Sequence, residues 1–113
     1  MNHLKFANTE KSFICSIKGV CLSKILEIIS DNSTKEDGLE VADILSPVNL
    51  AVDDVNKNDI PIKRLSNCQI ITIWSNGAFY YENEMDDGVG DLKNLNLEML
   101  SDIYVELAQN LEK

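Results

Sequence analysis

Hydrophobic and polar positions change their period several times along the 113 residues, and each change predicts an element. From Lys11 to Lys18, Phe13, Cys15 and Ile17 alternate with Ser12, Ser16 and Lys18. A period of two marks a half-buried strand. Ile14 is the one apolar residue on its polar side, and Gly19 ends it. Leu22, Ile25, Leu26 and Ile29 then recur at spacings of three and four, so Cys21 to Ser30 reads as an amphipathic helix. Asp31 to Gly38 is a polar run closing in glycine and reads as a loop. Leu39 to Leu45 fits a short helix or a strand, and Ser46-Pro47 closes it because the residue before proline avoids helical backbone.

Val48, Leu50 and Val52 alternate again and predict a strand that Asp53-Asp54 ends. Asn56 to Asp59 is a turn cluster. Ile60 to Leu65 contains Pro61, which confines it to a sheet edge or a strand start. Gln69 to Trp74 and Phe79 to Glu82 flank Ser75-Asn76-Gly77-Ala78, and Asn-Gly between apolar strands signals a hairpin. With a two-residue type I′ turn, Trp74 faces Phe79, Ile73 faces Tyr80 and Thr72 faces Tyr81. Glu82 to Asp91 reads as an acidic loop with two glycines. Leu97, Leu100, Tyr104, Leu107 and Leu111 make one apolar stripe, so a helix is predicted from Leu97 to Leu111. Asn96 is its expected N-cap, and Glu98 complements its positive end. Together these elements predict a single α+β domain over residues 1–113, with residues 1–10 frayed. Its antiparallel sheet is built around the central Asn-Gly hairpin and covered by two or three helices, including the C-terminal amphipathic one.

Composition leaves this picture ordinary, at 44% hydrophobic and 26% charged residues. Charge does not. Nineteen acids against ten bases give a net charge of -9, which argues against nucleic acid and anionic membrane as partners. From Glu82 to the C-terminus there are nine acids and two bases, net -7, whereas the first 81 residues carry only -2. Cys15, Cys21 and Cys68 are odd in number, form no CxxC pair, and read as reduced thiols. The N-terminus lacks a cationic start followed by an apolar core, and no eighteen apolar residues run together. A cytoplasmic location is the expectation.

Little in the chain suggests catalysis. Its single histidine, His3, lies in the segment expected to fray, and Arg64 is its single arginine. Gly88-Val89-Gly90 has the wrong length and charge for a phosphate loop, with Asp91 directly after it. The acids from Glu82 to Asp91 miss the ligand spacing of a calcium loop. No enzyme activity, catalytic residue, metal or cofactor is expected. Protein binding is, through Glu82, Glu84, Asp86, Asp87 and Asp91, with Tyr81 or Tyr80 as an aromatic anchor. Asp53 and Asp54 extend the patch if their strand end lies beside it.

In size, acidity and the cluster from Glu82 to Asp91, the chain resembles small bacterial immunity proteins that neutralise toxins delivered by neighbouring cells. Those of contact-dependent growth inhibition systems are among them. The resemblance implies a cytoplasmic monomer in a tight one-to-one complex with the C-terminal domain of its cognate toxin. That partner would be basic, as a nuclease is, and carboxylates would fill its cationic groove. Two other classes share some features. Type III-like secretion chaperones are small and acidic too, but they start with a helix and dimerise, whereas the first element here reads as a strand. Acidic nucleic-acid mimics spread their carboxylates over a long face, whereas these lie at one end.

Overall fold

A computed structural model describes residues 10–33, 36–53, 62–84 and 86–111. His3, Asp54, the Asn56–Asp59 turn, Pro61 and nearly all of the segment expected to fray lie outside the described residues. In chain order the elements are α1 (residues 10–14), α2 (Lys18–Asn32), β1 (Gly38–Glu40), β2 (Val48–Asp53) and β3 (Ile62–Trp74). Then come β4 (Ala78–Asn83), β5 (Asp87–Asp91), a 3-10 turn (Leu92–Asn94) and α3 (Leu97–Leu111).

β3 is the spine of an antiparallel sheet. Cys68 pairs with Val48 on one side and Asn83 on the other, so β2 and β4 occupy opposite edges. Thr72 and Ile73 pair with β1 as well as β4, which puts β1 beside β2 on the same edge. β5 pairs with β4 and forms the outer edge. The α+β architecture and its closing helix are therefore as expected. The two apolar runs at Ile60–Leu65 and Gln69–Trp74 belong, from Ile62 onward, to one thirteen-residue strand.

The hairpin lies where Asn-Gly predicts it, but its register is one residue different. Ile73 pairs with Phe79 and Thr72 with Tyr80. The turn is closed by Gly77 N–H donating to the Trp74 carbonyl at 2.9 Å, and of these turn residues only Gly77 has positive φ (98°). That is a three-residue connection with glycine in the left-handed position, not a type I′ turn. The core decides it, since the paired Ile73 and Phe79 are both buried and a one-residue slip would turn one of them outward. A second shift follows at Ile71, which bulges between the Ile70–Tyr81 and Thr72–Tyr80 pairs. The bulge lets Ile70 and Ile73, an odd number of residues apart, both face the core.

Leu39, Leu50, Cys68, Ile70, Ile73 and Phe79 cover the inner face, packed against Cys21, Ile25, Ile28 and Ile29 of α2. α3 contributes Leu100, Ile103 and Leu107 to the same cluster. Each fully buried aliphatic or aromatic side chain stabilises the fold by about 1.5–3 kcal/mol relative to exposure. The Leu39–Leu45 segment divides into β1 and a turn in which Ile44 and Leu45 N–H both donate to Val41 O at 2.9 Å. Gln69 Nε2 donates to Leu45 O at 2.9 Å and Glu106 accepts from Ser46 N–H at 2.8 Å, pinning that turn to sheet and helix.

The strand expected at Lys11–Lys18 is instead helical over residues 10–14, with Cys15 N–H donating to Lys11 O at 2.9 Å. Its polarity is reversed too: Ile14 is 4% exposed, whereas Phe13 and Ile17 are 54% and 44% exposed. Five alternating residues carry little information against a local i→i−4 bond. β1 and β2 already occupy one edge of β3, and β4 the other. The following helix starts at Lys18, three residues earlier than periodicity indicates.

α3 begins where expected. Asn96 Oδ1 accepts from Met99 N–H at 2.9 Å, and the side chain is buried. Asn96→Ala is expected to destabilise the protein by about 1 kcal/mol, measured as a lower denaturant midpoint with unchanged slope.

Cys21 and Cys68 are buried and Cys15 is half-buried. Burial pushes the Cys21 thiol up to about 11, and neighbouring Cys15 adds to the effect, while a hydrogen bond with Ser101 opposes it. The folded state therefore favours the protonated thiol. This contribution is whole below pH 9.0, the thiol's ordinary value, and is lost as pH rises through about 11. At pH 8 an aromatic disulfide reagent should modify Cys15 in the native protein, with Cys21 reacting only on unfolding. Equal rates for the two thiols would contradict this packing.

Candidate protein-binding surface

Alternation along β4 sends Phe79 and Tyr81 to the covered face and Tyr80 and Glu82 to the other. That other face carries Glu40, Thr72, Tyr80 and Val89 in one row across four strands, none of them buried. The region expected as an acidic loop is mostly strand. β5 pairs Asp87 with Glu82, Gly88 with Tyr81, Val89 with Tyr80, Gly90 with Phe79 and Asp91 with Ala78.

Glycine is a poor strand former, so pairing must be supported from elsewhere. Aromatic rings supply it. A Cβ on Gly90 would lie 2.5 Å from Phe79 Cζ, and one on Gly88 would lie 2.5 Å from Tyr81 Oη. The rings therefore lie across the glycines of the neighbouring strand. The same arrangement recurs at the other side of the sheet, where Trp74 lies across Gly38.

The β4–β5 connection is a compact acidic turn. Asn83 N–H donates to Asp86 O at 3.0 Å, and Asn83 Oδ1 accepts from Asp86 N–H at 2.6 Å. Asp86 Oδ1 accepts from Asp87 N–H at 2.9 Å. Beside it the Tyr80 hydroxyl lies 3.1 Å from Glu82 Oε2 and 3.2 Å from Asp87 Oδ2. One phenolic proton thus serves two carboxylates. Lost hydration first, then these hydrogen bonds and negative charges, push the phenol up to about 12. It stays a neutral donor at physiological pH and holds both carboxylates on the open face.

Glu82, Glu84, Asp86 and Asp87 are all exposed around this turn. No ion pair among the described residues engages them. The other expected site residues lie elsewhere. Asp91 is at the far end of β5, about 13 Å along the strand at about 3.3 Å per residue, and caps the 3-10 turn by accepting from Lys93 N–H at 3.1 Å. Asp53 forms an ion pair with Lys18 and pairs with Ile62, at the opposite end of β3 from the Asn-Gly hairpin. Tyr81 packs beside Phe79, with ring centroids 6.1 Å apart, against the core. Tyr80 is the aromatic residue that meets the carboxylates. Sequence reasoning passed over Val89, although an apolar residue between two glycines in an acidic run is a visible signal.

Among the described residues, no three His, Cys, Asp or Glu side chains converge to hold a metal ion. No helix among them is long and apolar enough to cross a membrane. No protein-family model, curated protein or solved structure matches the chain.

Proposed function

We propose that this chain is an immunity-type inhibitor that neutralises a basic toxin domain, a nuclease in the first instance, by presenting carboxylates to its cationic groove. The observation that carries it is the exposed turn bearing Glu82, Glu84, Asp86 and Asp87, with Tyr80 bridging two of them. A groove that binds phosphates is complementary to this arrangement. Direct contact requires strong salt dependence. Affinity for a cognate basic toxin domain should fall by at least about tenfold between 50 and 200 mM salt, mainly through slower association. A salt-independent constant measured by calorimetry would exclude the acidic turn as the contact.

The secretion-chaperone reading regains support from one observation. The first described element is helical rather than a strand, which removes the ground for setting it aside. Sedimentation separates the two: a monomer favours the inhibitor, and an obligate dimer the chaperone.

A further inference from the structure

The pairing of β5 specifies more than an acidic patch. Asn83 N–H donates to Asp86 O, and Leu92 N–H donates to Gly77 O at 2.9 Å. Both pairs fall in the β4–β5 register, so the hydrogen-bonded positions alternate from them through Gly88 and Gly90. Val89, between them, points its own N–H and C=O away from β4, towards an edge that no other described strand pairs. Its side chain is 70% exposed, the most exposed large apolar residue among those described. The Asp87 C=O and Asp91 N–H face the same way by the same alternation, whereas the Asp87 N–H is already taken by Asp86. β5 contains no proline or lysine, residues that commonly protect an open edge.

Charge decides which strand this edge accepts. A second copy pairing antiparallel about Val89 would set each Asp87 opposite an Asp91, and like charges directly opposite are destabilising. A segment with an apolar residue opposite Val89 and lysine or arginine two positions away would meet Asp87 instead. Glu82 and Asp87 lie side by side on the same open face. Acids on an edge strand thus discourage self-association and favour a cationic strand.

We propose that β5 is a docking edge that takes up one extended, basic segment of the partner protein as an additional antiparallel strand. Val89 supplies the central main-chain hydrogen bonds, and Asp87 selects the cation. The proposal rests on the partner being basic, as in the inhibitor reading.

The test uses the full chain and three synthetic peptides. One has the repeating pattern Lys-Thr-Val-Thr-Lys. The second has the same sequence with alternate backbone amides methylated, and the third has glutamate in place of lysine. The first peptide should slow hydrogen exchange of the Val89 amide by at least about tenfold. The methylated and glutamate peptides should not. Val89→Pro removes an outward N–H without touching the β4–β5 ladder, and in it the first peptide should no longer protect the outward Asp91 amide, whereas Val89→Thr keeps that protection. No protection by the first peptide, or equal binding of the methylated one, overturns edge docking. In the second case salt-sensitive binding leaves the acidic-surface reading standing. Equal protection by the glutamate peptide overturns the charge selection and the acidic reading together, with strand addition alone surviving.

Discussion

Reversing Glu84, Asp86 and Asp87 to lysine together should weaken binding to the proposed basic partner by at least about a thousandfold, on the order of 4 kcal/mol. The three side chains are exposed, so their removal leaves no cavity and no buried charge. The known internal losses are the Asp86 bond to Asp87 N–H and the Asp87 bond to Tyr80, both at the surface. Melting should therefore change by only a few degrees. Binding and folding are separable here because the turn lies outside the packed face. Asp91 and Asp53 do not belong in that variant. Asp91 caps the 3-10 turn and Asp53 pairs with Lys18, so changing either perturbs structure as well as charge. Unaltered affinity of the triple variant, measured by calorimetry, would move the interface elsewhere.

Gly90→Ala is expected to destabilise the fold by about 1–3 kcal/mol, the range for forcing extra volume into a packed core. The added methyl would lie 2.5 Å from Cζ of Phe79, a ring 2% exposed that has nowhere to move. Backbone strain is not the cause, since Gly90 has ordinary φ. Where alanine fits, the same change stabilises by about 0.4–1 kcal/mol through the unfolded chain, so the clash determines the sign. Gly88→Ala meets the hydroxyl end of the half-buried Tyr81, which can swing aside, and should cost less. Combining Gly90→Ala with Phe79→Leu should be less damaging than the sum of the two. A Gly90→Ala protein that melts with the native one would show that the ring does not cover the edge strand.

The parts of this molecule legible in its sequence are those whose pattern is long or chemically unusual. Leu97–Leu111 repeats its apolar stripe over four turns behind an asparagine cap, and the helix spans those same residues. Asn76-Gly77 marks a hairpin because few residues other than glycine accept the positive φ of Gly77, and the Asn76 side chain accepts from Ala78 N–H across the turn. The segment around Phe13–Ile17 is too short for its alternation to outweigh local helical bonds. Register at the hairpin was equally out of reach. Two- and three-residue connections fit the same Asn-Gly, and the choice depends on Ile73 and Phe79 meeting inside.

The candidate surface divides in the same way. Sequence by itself determined that negative charge gathers after Tyr81 and that the chain forms a sheet with a closing helix. Only the tertiary structure decided which carboxylates share a surface. It drew Glu82 and Asp87 together across two strands and sent Asp91 and Asp53 to separate structural tasks. It also turned an apparent acidic loop into a sheet edge, because the rings of Tyr81 and Phe79 cover Gly88 and Gly90 from the neighbouring strand. Net charge is additive along a chain and can be read one residue at a time. Strand pairing depends on residues brought opposite one another, and that opposition exists only once the core has set the register.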